Sequence, residues 1–295
     1  MVTPFSSQFI QFRELAINLA FRIPNKEVLN PQPFKGNAPS SLKLVYQINQ
    51  AVTRFKQQAM DETGAHVDYQ SLRQTDAFTS YTRELIPQLQ SLKFEDISDR
   101  NTATAFWINL YNALVIHAVI EYGIEKSITE RGFSGQVRFF RQAAYNIGGM
   151  RFSLEDIEHG VLRANSGNPL QFSQQFPPDD PRTNCIISPL DPRIHFALNC
   201  ASVSCPPISV YDPHNLDLQL DLASQNYVQQ ETRLENGEIY LSRLFQWYKK
   251  DFGSPTDIVD FLLRYLPDSK RKKHLASIRQ NPSFRYLPYN WNLNI

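Results

Sequence analysis

Hydrophobic residues recur every three to four positions through most of the first hundred residues, which is the spacing of amphipathic helices. Phe9, Phe12, Leu15 and Leu19 follow this spacing near the N-terminus. Residues 41–59 repeat this spacing, and either Ser40 or Ser41 suits the N-cap. Between the two patterns, residues 24–40 contain four prolines. We therefore predict helices separated by an irregular segment.

The longest apolar stretch covers residues 101–124, and its hydrophobic side chains surround the helical wheel. A helix that is apolar on all sides is normally buried. Its polar residues Asn109, Asn112 and His117 would then need hydrogen-bond partners inside the protein. We interpret Asn109 and His117 as groups that tie neighbouring loops to the core, and Asn112 as a candidate functional residue.

Signals for short strands and further helices follow. Gly148 and Gly149 predict the turn of a β-hairpin, and Ser153 then predicts the N-cap of a helix that carries His159. Residues 193–200 alternate in the manner of a β-strand. The fold class predicted is therefore α+β, mainly helical, with a small sheet that includes residues 193–200.

The same alternation predicts different surroundings for two of the three cysteines. On a strand, Cys200 shares a face with Ile194, Phe196 and Leu198, where a thiol behaves as a small inert hydrophobic group. Cys205 follows a short polar turn and precedes two prolines, outside the regular strand. We therefore prefer Cys205 to Cys200 as a reactive thiol.

Composition narrows the class of protein. A chain of 295 residues with 42% hydrophobic side chains can bury a substantial core, and a formal net charge of +1 argues against nucleic-acid partners. The N-terminus lacks the pattern of a secretory signal, and no uninterrupted apolar run is long enough to predict a membrane span. An odd number of cysteines is unlike a secreted disulfide framework. We expect a cytoplasmic protein with reduced thiols, and the oligomeric state stays open.

The candidate chemistry is that of a cysteine nucleophile. Such a thiol needs a nearby base, usually an imidazole, which a third polar group orients. The chain offers Cys205 or Cys200 as nucleophile, His195 or His159 as base, and Asn112 as the orienting group. This combination makes a core of the papain or transglutaminase kind a candidate, with a peptide or protein amide as substrate and no cofactor.

Other interpretations of the same residues stay open. His195, Cys200, Cys205 and His214 are spaced more widely than most zinc ligands, so we expect no metal. A redox dithiol formed by the two neighbouring cysteines is a second interpretation, although C-x-x-C spacing is more typical. A third alternative is a non-catalytic interaction module in which these groups only satisfy a buried core. Motifs of dinucleotide-binding proteins, P-loop proteins, elbow-type serine hydrolases and zincins are missing from the sequence.

Five blocks of sequence together resemble the domain of unknown function 547 (DUF547) family. They are "FWINLYNALVIHAVI" (106–120), "IEHGVLR" (157–163), "DPRIHFALNCASVSCPPI" (191–208), "WYKKDFG" (247–253) and "LPYNWNLN" (287–294). The resemblance covers residues 75–295 and leaves residues 1–74 as an N-terminal helical extension. No reaction is established for the family, so the resemblance implies positions rather than an activity.

The family's motif positions fall on particular residues of this chain. They are Asn112, His117, His159, His195, Cys200, Ser204 and Cys205. The match to these motif positions strengthens the case for Asn112 and Cys205 as functional residues beyond what composition alone supports. Tyr111, Asn199 and Ser204 are candidate binding residues. The family commonly has glycine after the first cysteine, where this chain has Ala201.

Overall fold

Helices dominate the computed structural model, which describes residues 6–171 and 173–295. The α-helices are α1 (Ser7–Ala20), α2 (Ser41–Ala59), α3 (Tyr69–Arg73), α4 (Asp76–Ser80), α5 (Arg100–Glu121), α6 (Gly132–Gln142), α7 (Leu216–Glu231), α8 (Arg243–Trp247), α9 (Lys249–Phe252), α10 (Pro255–Tyr265) and α11 (Lys270–Ser277). Turns of π-helix cover Tyr81–Leu85 and Asp156–Leu162, and turns of 3-10 helix cover Ile86–Ser91, Phe94–Ile97, Pro181–Cys185 and Pro192–Phe196.

Two small sheets complete the fold. Strands β1 (Ala144–Ile147) and β2 (Met150–Ser153) pair antiparallel. Strand β4 (Glu238–Leu241) pairs antiparallel with β3 (Arg233–Glu235) and parallel with β5 (Phe284–Tyr286). The predicted class, mainly helical α+β with little sheet, is confirmed.

The chain forms two compact units. The larger unit contains the described residues of Met1–Leu190, together with Leu198–Leu216 and Trp291–Ile295. The smaller unit contains Asp191–Ala197 and Asp217–Asn290. The division predicted from the family resemblance, between residues 74 and 75, remains a prediction.

Helix α5 is the centre of the larger unit, as its apolar sequence predicts. It begins at the Asp99 N-cap, whose carboxylate accepts the Thr102 N–H at 2.9 Å, and every residue from Thr104 to Ile120 is buried. Helix α2 packs against it through Ile48, Val52 and other apolar side chains. By length and composition α5 could cross a membrane, but 94% of its most apolar window is buried inside the protein. That burial is typical of the central helix of a globular core.

The hairpin predicted at Gly148 and Gly149 is confirmed, since both glycines have positive φ angles between β1 and β2. At Gly148 a Cβ atom would lie 2.8 Å from the Leu92 carbonyl oxygen, so a side chain is excluded there. The predicted cap at Ser153 is also confirmed. Its Oγ accepts the Asp156 N–H at 3.1 Å, and the Asp156 carboxylate accepts the Ser153 N–H at 3.0 Å. The helix that follows is a π-helix rather than an α-helix.

Aromatic side chains fill the core of the smaller unit. Phe196, Phe245, Phe252 and Phe261 form a cluster in which ring centroids lie 4.8 to 6.2 Å apart. Ser254 and Asp257 form a reciprocal capping box that starts α10, with Pro255 in the first turn. The serine cap and the proline are thus the local signals that start this helix.

The predicted strand over residues 193–200 is wrong, because a 3-10 helix occupies Pro192–Phe196. The Asp191 carboxylate accepts the Arg193 N–H at 3.0 Å, and Pro192 fixes a helical φ angle in the first turn. His195 is as deeply buried as its neighbours, so the alternation does not separate an inner from an outer face. The strand also predicted that Cys200 is buried among apolar side chains and that Cys205 is more exposed. This prediction is wrong as well, because both cysteines are half-buried.

The predicted N-terminal helix is confirmed as α1, but most of its apolar side chains are not covered. Phe12, Leu15 and Leu19 are 71%, 62% and 79% exposed, whereas Ile10 is fully buried. The ion pair between Arg141 and Glu14, together with hydrogen bonds from Arg13 to residues 173–175, holds the helix to the rest of the larger unit.

Candidate functional site

The two central cysteines meet in a loop of the larger unit, residues 199–208, which we call the cysteine loop. The Cys205 Sγ accepts the backbone N–H of Cys200 at 3.0 Å. The Ser202 Oγ lies 3.2 Å from the Cys205 Sγ and 3.4 Å from the Cys200 Sγ. Cys185, Cys200 and Cys205 form no disulfide in the described chain. A backbone donor aimed at a sulfur favours its ionised form, so this contact distinguishes Cys205 from Cys200.

Asn199 folds the cysteine loop from inside. Its Oδ1 accepts the Ala201 N–H at 2.7 Å, and its Nδ2 donates to the Pro206 carbonyl oxygen at 2.7 Å. Asn112, fully buried in α5, accepts the backbone N–H of Asn199 at 2.9 Å. Asn112 thus fixes the start of the loop to the central helix. Its predicted contact with an imidazole remains a prediction, as does a binding role for the buried Asn199.

Close backbone contacts hold the other end of the loop. The Ile208 N–H donates to the Gly64 carbonyl oxygen at 2.8 Å. Gly64 has a φ angle of +80°, and a Cβ atom on it would lie 2.2 Å from the Ile208 carbonyl oxygen. Beyond the loop, the Asn109 side chain hydrogen-bonds both the N–H and the carbonyl of Tyr211, at 2.9 and 2.7 Å. Asn109 therefore ties a neighbouring segment to the core, as predicted.

Ala201 has a φ angle of +65°, in the left-handed region that favours glycine. Neighbouring contacts hold this conformation. The Ala201 N–H donates to the Asn199 side chain, and the Ala201 carbonyl oxygen accepts the Asn294 N–H. The next residue, Ser202, forms an isolated β-bridge with Leu293. Glycine would adopt this backbone shape more easily than alanine does.

Replacing Ala201 by glycine is expected to raise the free energy of unfolding by about 1 kcal/mol, because the left-handed conformation disfavours a Cβ atom. Urea unfolding would measure the change. Ala276→Gly is the matched control: Ala276 is exposed within α11, where the same substitution should lower stability by about 1 kcal/mol. A loss of stability in both variants would contradict the strain at Ala201.

His195 lies in the smaller unit with a carboxylate partner. Its Nε2 is 2.8 Å from the Asp251 Oδ2, and the two side chains are 1% and 4% exposed. The imidazole stacks on Tyr248 with ring centroids 3.9 Å apart. A buried carboxylate fixes the orientation of an imidazole and stabilises its protonated form. Sequence reasoning missed Asp251, although it lies within the block "WYKKDFG", next to Phe252.

His159 has a different environment, in the larger unit. Arg163 Nη1 lies 3.0 Å from the His159 Nδ1, and because a guanidinium can only donate, Nδ1 must accept. Glu158 Oε1 lies 3.7 Å away, and Tyr111 donates its O–H to the other oxygen of Glu158 at 2.9 Å. The predicted residues His159 and Tyr111 thus share a buried network with Glu158 and Arg163, which sequence reasoning did not single out.

His117 is part of the core, as interpreted from the sequence. Its Nδ1 lies 2.8 Å from the Tyr145 hydroxyl, which in turn lies 3.0 Å from that of Tyr81. Burial lowers the pKa of His117 to about 4. The imidazole is therefore neutral near neutral pH and serves the packing of α5.

The surface of the cysteine loop is formed by Val203, which is 51% exposed, and by the half-buried Ser204. A binding role for Ser204 remains a prediction. Within residues 6–171 and 173–295, no three His, Cys, Asp or Glu side chains are placed to share a metal ion. That His195, Cys200, Cys205 and His214 hold no metal remains a prediction.

Comparison with known proteins adds a family but no activity. Residues 94–228 match the model of a family described as "Protein of unknown function, DUF547". No curated protein matches the chain, and neither does any solved structure. The matched range contains three of the five sequence blocks and both cysteines of the loop, while the blocks at 247–253 and 287–294 lie outside it. This chain therefore carries a domain of the DUF547 family.

Proposed function

We propose that the protein is a cysteine-dependent acyl-transfer enzyme or hydrolase, and that the Cys205 thiolate is its nucleophile. The observation that carries the proposal is the backbone N–H of Cys200, which donates to the Cys205 sulfur at 3.0 Å in a half-buried loop. Such a donor lowers the free energy of a thiolate more than that of a thiol. The Ser202 hydroxyl at 3.2 Å is placed to add a second hydrogen bond to the same sulfur.

Of the two candidate bases, His195 has an environment better suited to accepting a proton than His159 has. The Asp251 carboxylate at 2.8 Å stabilises the imidazolium that forms when His195 accepts a proton. At His159 the Arg163 guanidinium lies 3.0 Å from Nδ1 and opposes protonation, while the Glu158 carboxylate, at 3.7 Å, is farther away than Asp251 is from His195. In this proposal Asp251 takes the orienting role that the sequence suggested for Asn112, and Asn112 positions the cysteine loop.

The reaction proposed is acyl transfer of the papain or transglutaminase kind on a peptide or protein amide. The Cys205 sulfur forms a bond to the carbonyl carbon, the C–N bond breaks, and the proton held by the imidazole goes to the leaving amine. Water or a second amine then attacks the thioester carbon. The imidazole takes the proton of this attacking group, and the thiolate leaves.

Acylation of Cys205 tests the proposal. With p-nitrophenyl acetate at neutral pH, peptide mapping by mass spectrometry is expected to find the acetyl group on Cys205 about tenfold faster than on Cys200 or Cys185. The Cys200→Ser variant should still be acylated, and the Cys205→Ser variant should not. Equal, slow acylation of the cysteines would support the alternative, a non-catalytic interaction module.

A redox dithiol is the second candidate, because both sulfurs lie within 3.4 Å of one hydroxyl oxygen, that of Ser202. Reversible formation of a Cys200–Cys205 disulfide under a glutathione redox buffer would favour it. The two candidates differ in their dependence on Cys200: a dithiol enzyme needs both sulfurs, whereas acyl transfer needs only that of Cys205.

A further inference from the structure

A second candidate site lies in the larger unit, away from the cysteine loop. It is a cleft of about 440 Å³ between α1 and the segment of residues 175–182. Small-molecule sites commonly have volumes of about 300 to 1,000 Å³. Ile10, Leu15, Pro177 and Pro181 contribute apolar surface, and the charged lining comes mainly from carboxylates. The cleft therefore offers both an apolar wall and negative charge.

The negative charge of the cleft exceeds the positive charge that faces it. Arg182 pairs with both Asp156, at 3.2 Å, and Asp180, at 2.8 Å, so one guanidinium serves two carboxylates. Asp179 adds a third, exposed carboxylate to the same wall. On the opposite wall, Glu14 is already matched by arginines that lie 2.6 and 2.7 Å away. The neighbouring Arg151 donates to backbone carbonyl oxygens, and its positive charge also acts on Asp156.

Gln175 gives an independent indication of a ligand. It lines the cleft, is only 3% exposed, and donates its Nε2–H to the Asp156 Oδ1 at 3.0 Å. Because a carboxylate can only accept, this bond fixes which end of the amide is nitrogen. The Gln175 Oε1 is left buried without a hydrogen-bond donor among the described residues. A donor group placed against Gln175 would complete the hydrogen bonding of this amide.

We infer that this cleft binds a small organic cation with N–H donors, that is, an alkyl ammonium or alkyl guanidinium. Asp156, Asp179 and Asp180 are all negatively charged, and the bound cation adds its positive charge to that of Arg182 beside them. One of its N–H groups donates to the Gln175 Oε1, and its alkyl stem lies along the apolar wall. Helix α1 belongs to the part of the chain that precedes the DUF547 match, so the N-terminal region completes this site.

Calorimetric titration of the full chain with agmatine and with butylammonium tests the inference. We expect saturable binding of one cation per chain, at least tenfold weaker in Asp179→Asn and in Gln175→Met. Asp268→Asn is the matched control, since this 99% exposed carboxylate lies outside the cleft and its loss changes the net charge equally. That variant should bind like the wild type.

Tetramethylammonium separates hydrogen bonding from charge, because it is a cation without N–H groups. The inference predicts at least tenfold weaker binding of tetramethylammonium than of butylammonium. It would be overturned by equal binding of the two cations, by no saturable binding of either N–H cation, or by wild-type affinity in both cleft variants. Thermal unfolding of Gln175→Met, measured in parallel, shows whether that variant is folded. Asp179→Asn changes only an exposed side chain, so it tests cation binding without disturbing a buried one.

Discussion

Replacing Arg141 by methionine is expected to lower the free energy of unfolding by about 3 to 5 kcal/mol, because it removes one partner of a buried ion pair. The Arg141 Nε lies 2.5 Å from the Glu155 Oε2, and the two side chains are 6% and 4% exposed. Arg141 also pairs with Glu14 of α1 at 2.7 Å. Its loss therefore leaves a buried carboxylate without its cation and removes one of the contacts between α1 and the rest of the larger unit.

The loss should depend on pH. Burial raises the pKa of Glu155 to about 7 against the attraction of Arg141, and without Arg141 the pKa rises further. A carboxyl group whose pKa is raised by folding stabilises the protein at low pH, and this stability is lost as the pH rises through the folded pKa. Urea unfolding should thus show a larger deficit for Arg141→Met at about pH 8 than at about pH 5.

An exposed pair provides the control for this prediction. Arg279 and Asp260 form an ion pair whose side chains are 41% and 45% exposed. Arg279→Met should change the free energy of unfolding little at either pH, because solvent screens the pair. Similar losses for Arg141→Met and Arg279→Met would show that the buried network does not stabilise the fold as described.

The second large effect is expected at the proposed active site. Under the proposed mechanism, in which the His195 imidazolium stabilises the Cys205 thiolate, His195→Ala should slow alkylation of Cys205 by iodoacetamide at about pH 6 by tenfold or more. Asp251→Asn should produce a smaller loss in the same direction, since it removes the charge 2.8 Å from the His195 Nε2. The rate of alkylation against pH, followed by mass spectrometry of the Cys205 peptide, measures both effects.

His66→Ala is the control for the histidine change. His66 is 64% exposed and lies 3.6 Å from Asp61, so it resembles His195 in having an aspartate partner but not in burial. Alkylation of Cys205 should be unchanged in this variant. Equal rates in the wild type, His195→Ala and Asp251→Asn would remove His195 from the proposed mechanism.

Local sequence signals were sufficient where the structure depends on local interactions. The apolar sequence of α5, the glycine pair of the β1–β2 hairpin and the Ser254 cap of α10 each determine an element through neighbours a few residues away. The strand predicted over residues 193–200 is wrong because two local signals compete there. A local signal of another kind, Asp191 followed by Pro192, starts a 3-10 helix there and overrides the alternation.

The polar contacts of the candidate site could not be predicted in this way, because their partners are distant in sequence. Asp251 lies 56 residues from His195, and Asn112 lies 87 residues from the backbone N–H that it accepts. The strand alternation also failed to predict the burial of the two cysteines, Cys200 and Cys205, which are both half-buried. Their difference comes from one backbone N–H, that of Cys200, which a turn in the loop directs at Cys205.

Titration of the thiolate absorbance at about 240 nm tests the central proposal most directly, because it reports ionisation of the sulfur without a substrate. In the Cys200→Ser variant, Cys205 is expected to ionise at least one pH unit below the usual value of about 8.5. The signal near neutral pH should disappear in Cys205→Ser and move to higher pH when His195→Ala is added to Cys200→Ser. A Cys205 thiol that ionises at or above the usual value, and does not respond to His195→Ala, would contradict the proposed nucleophile.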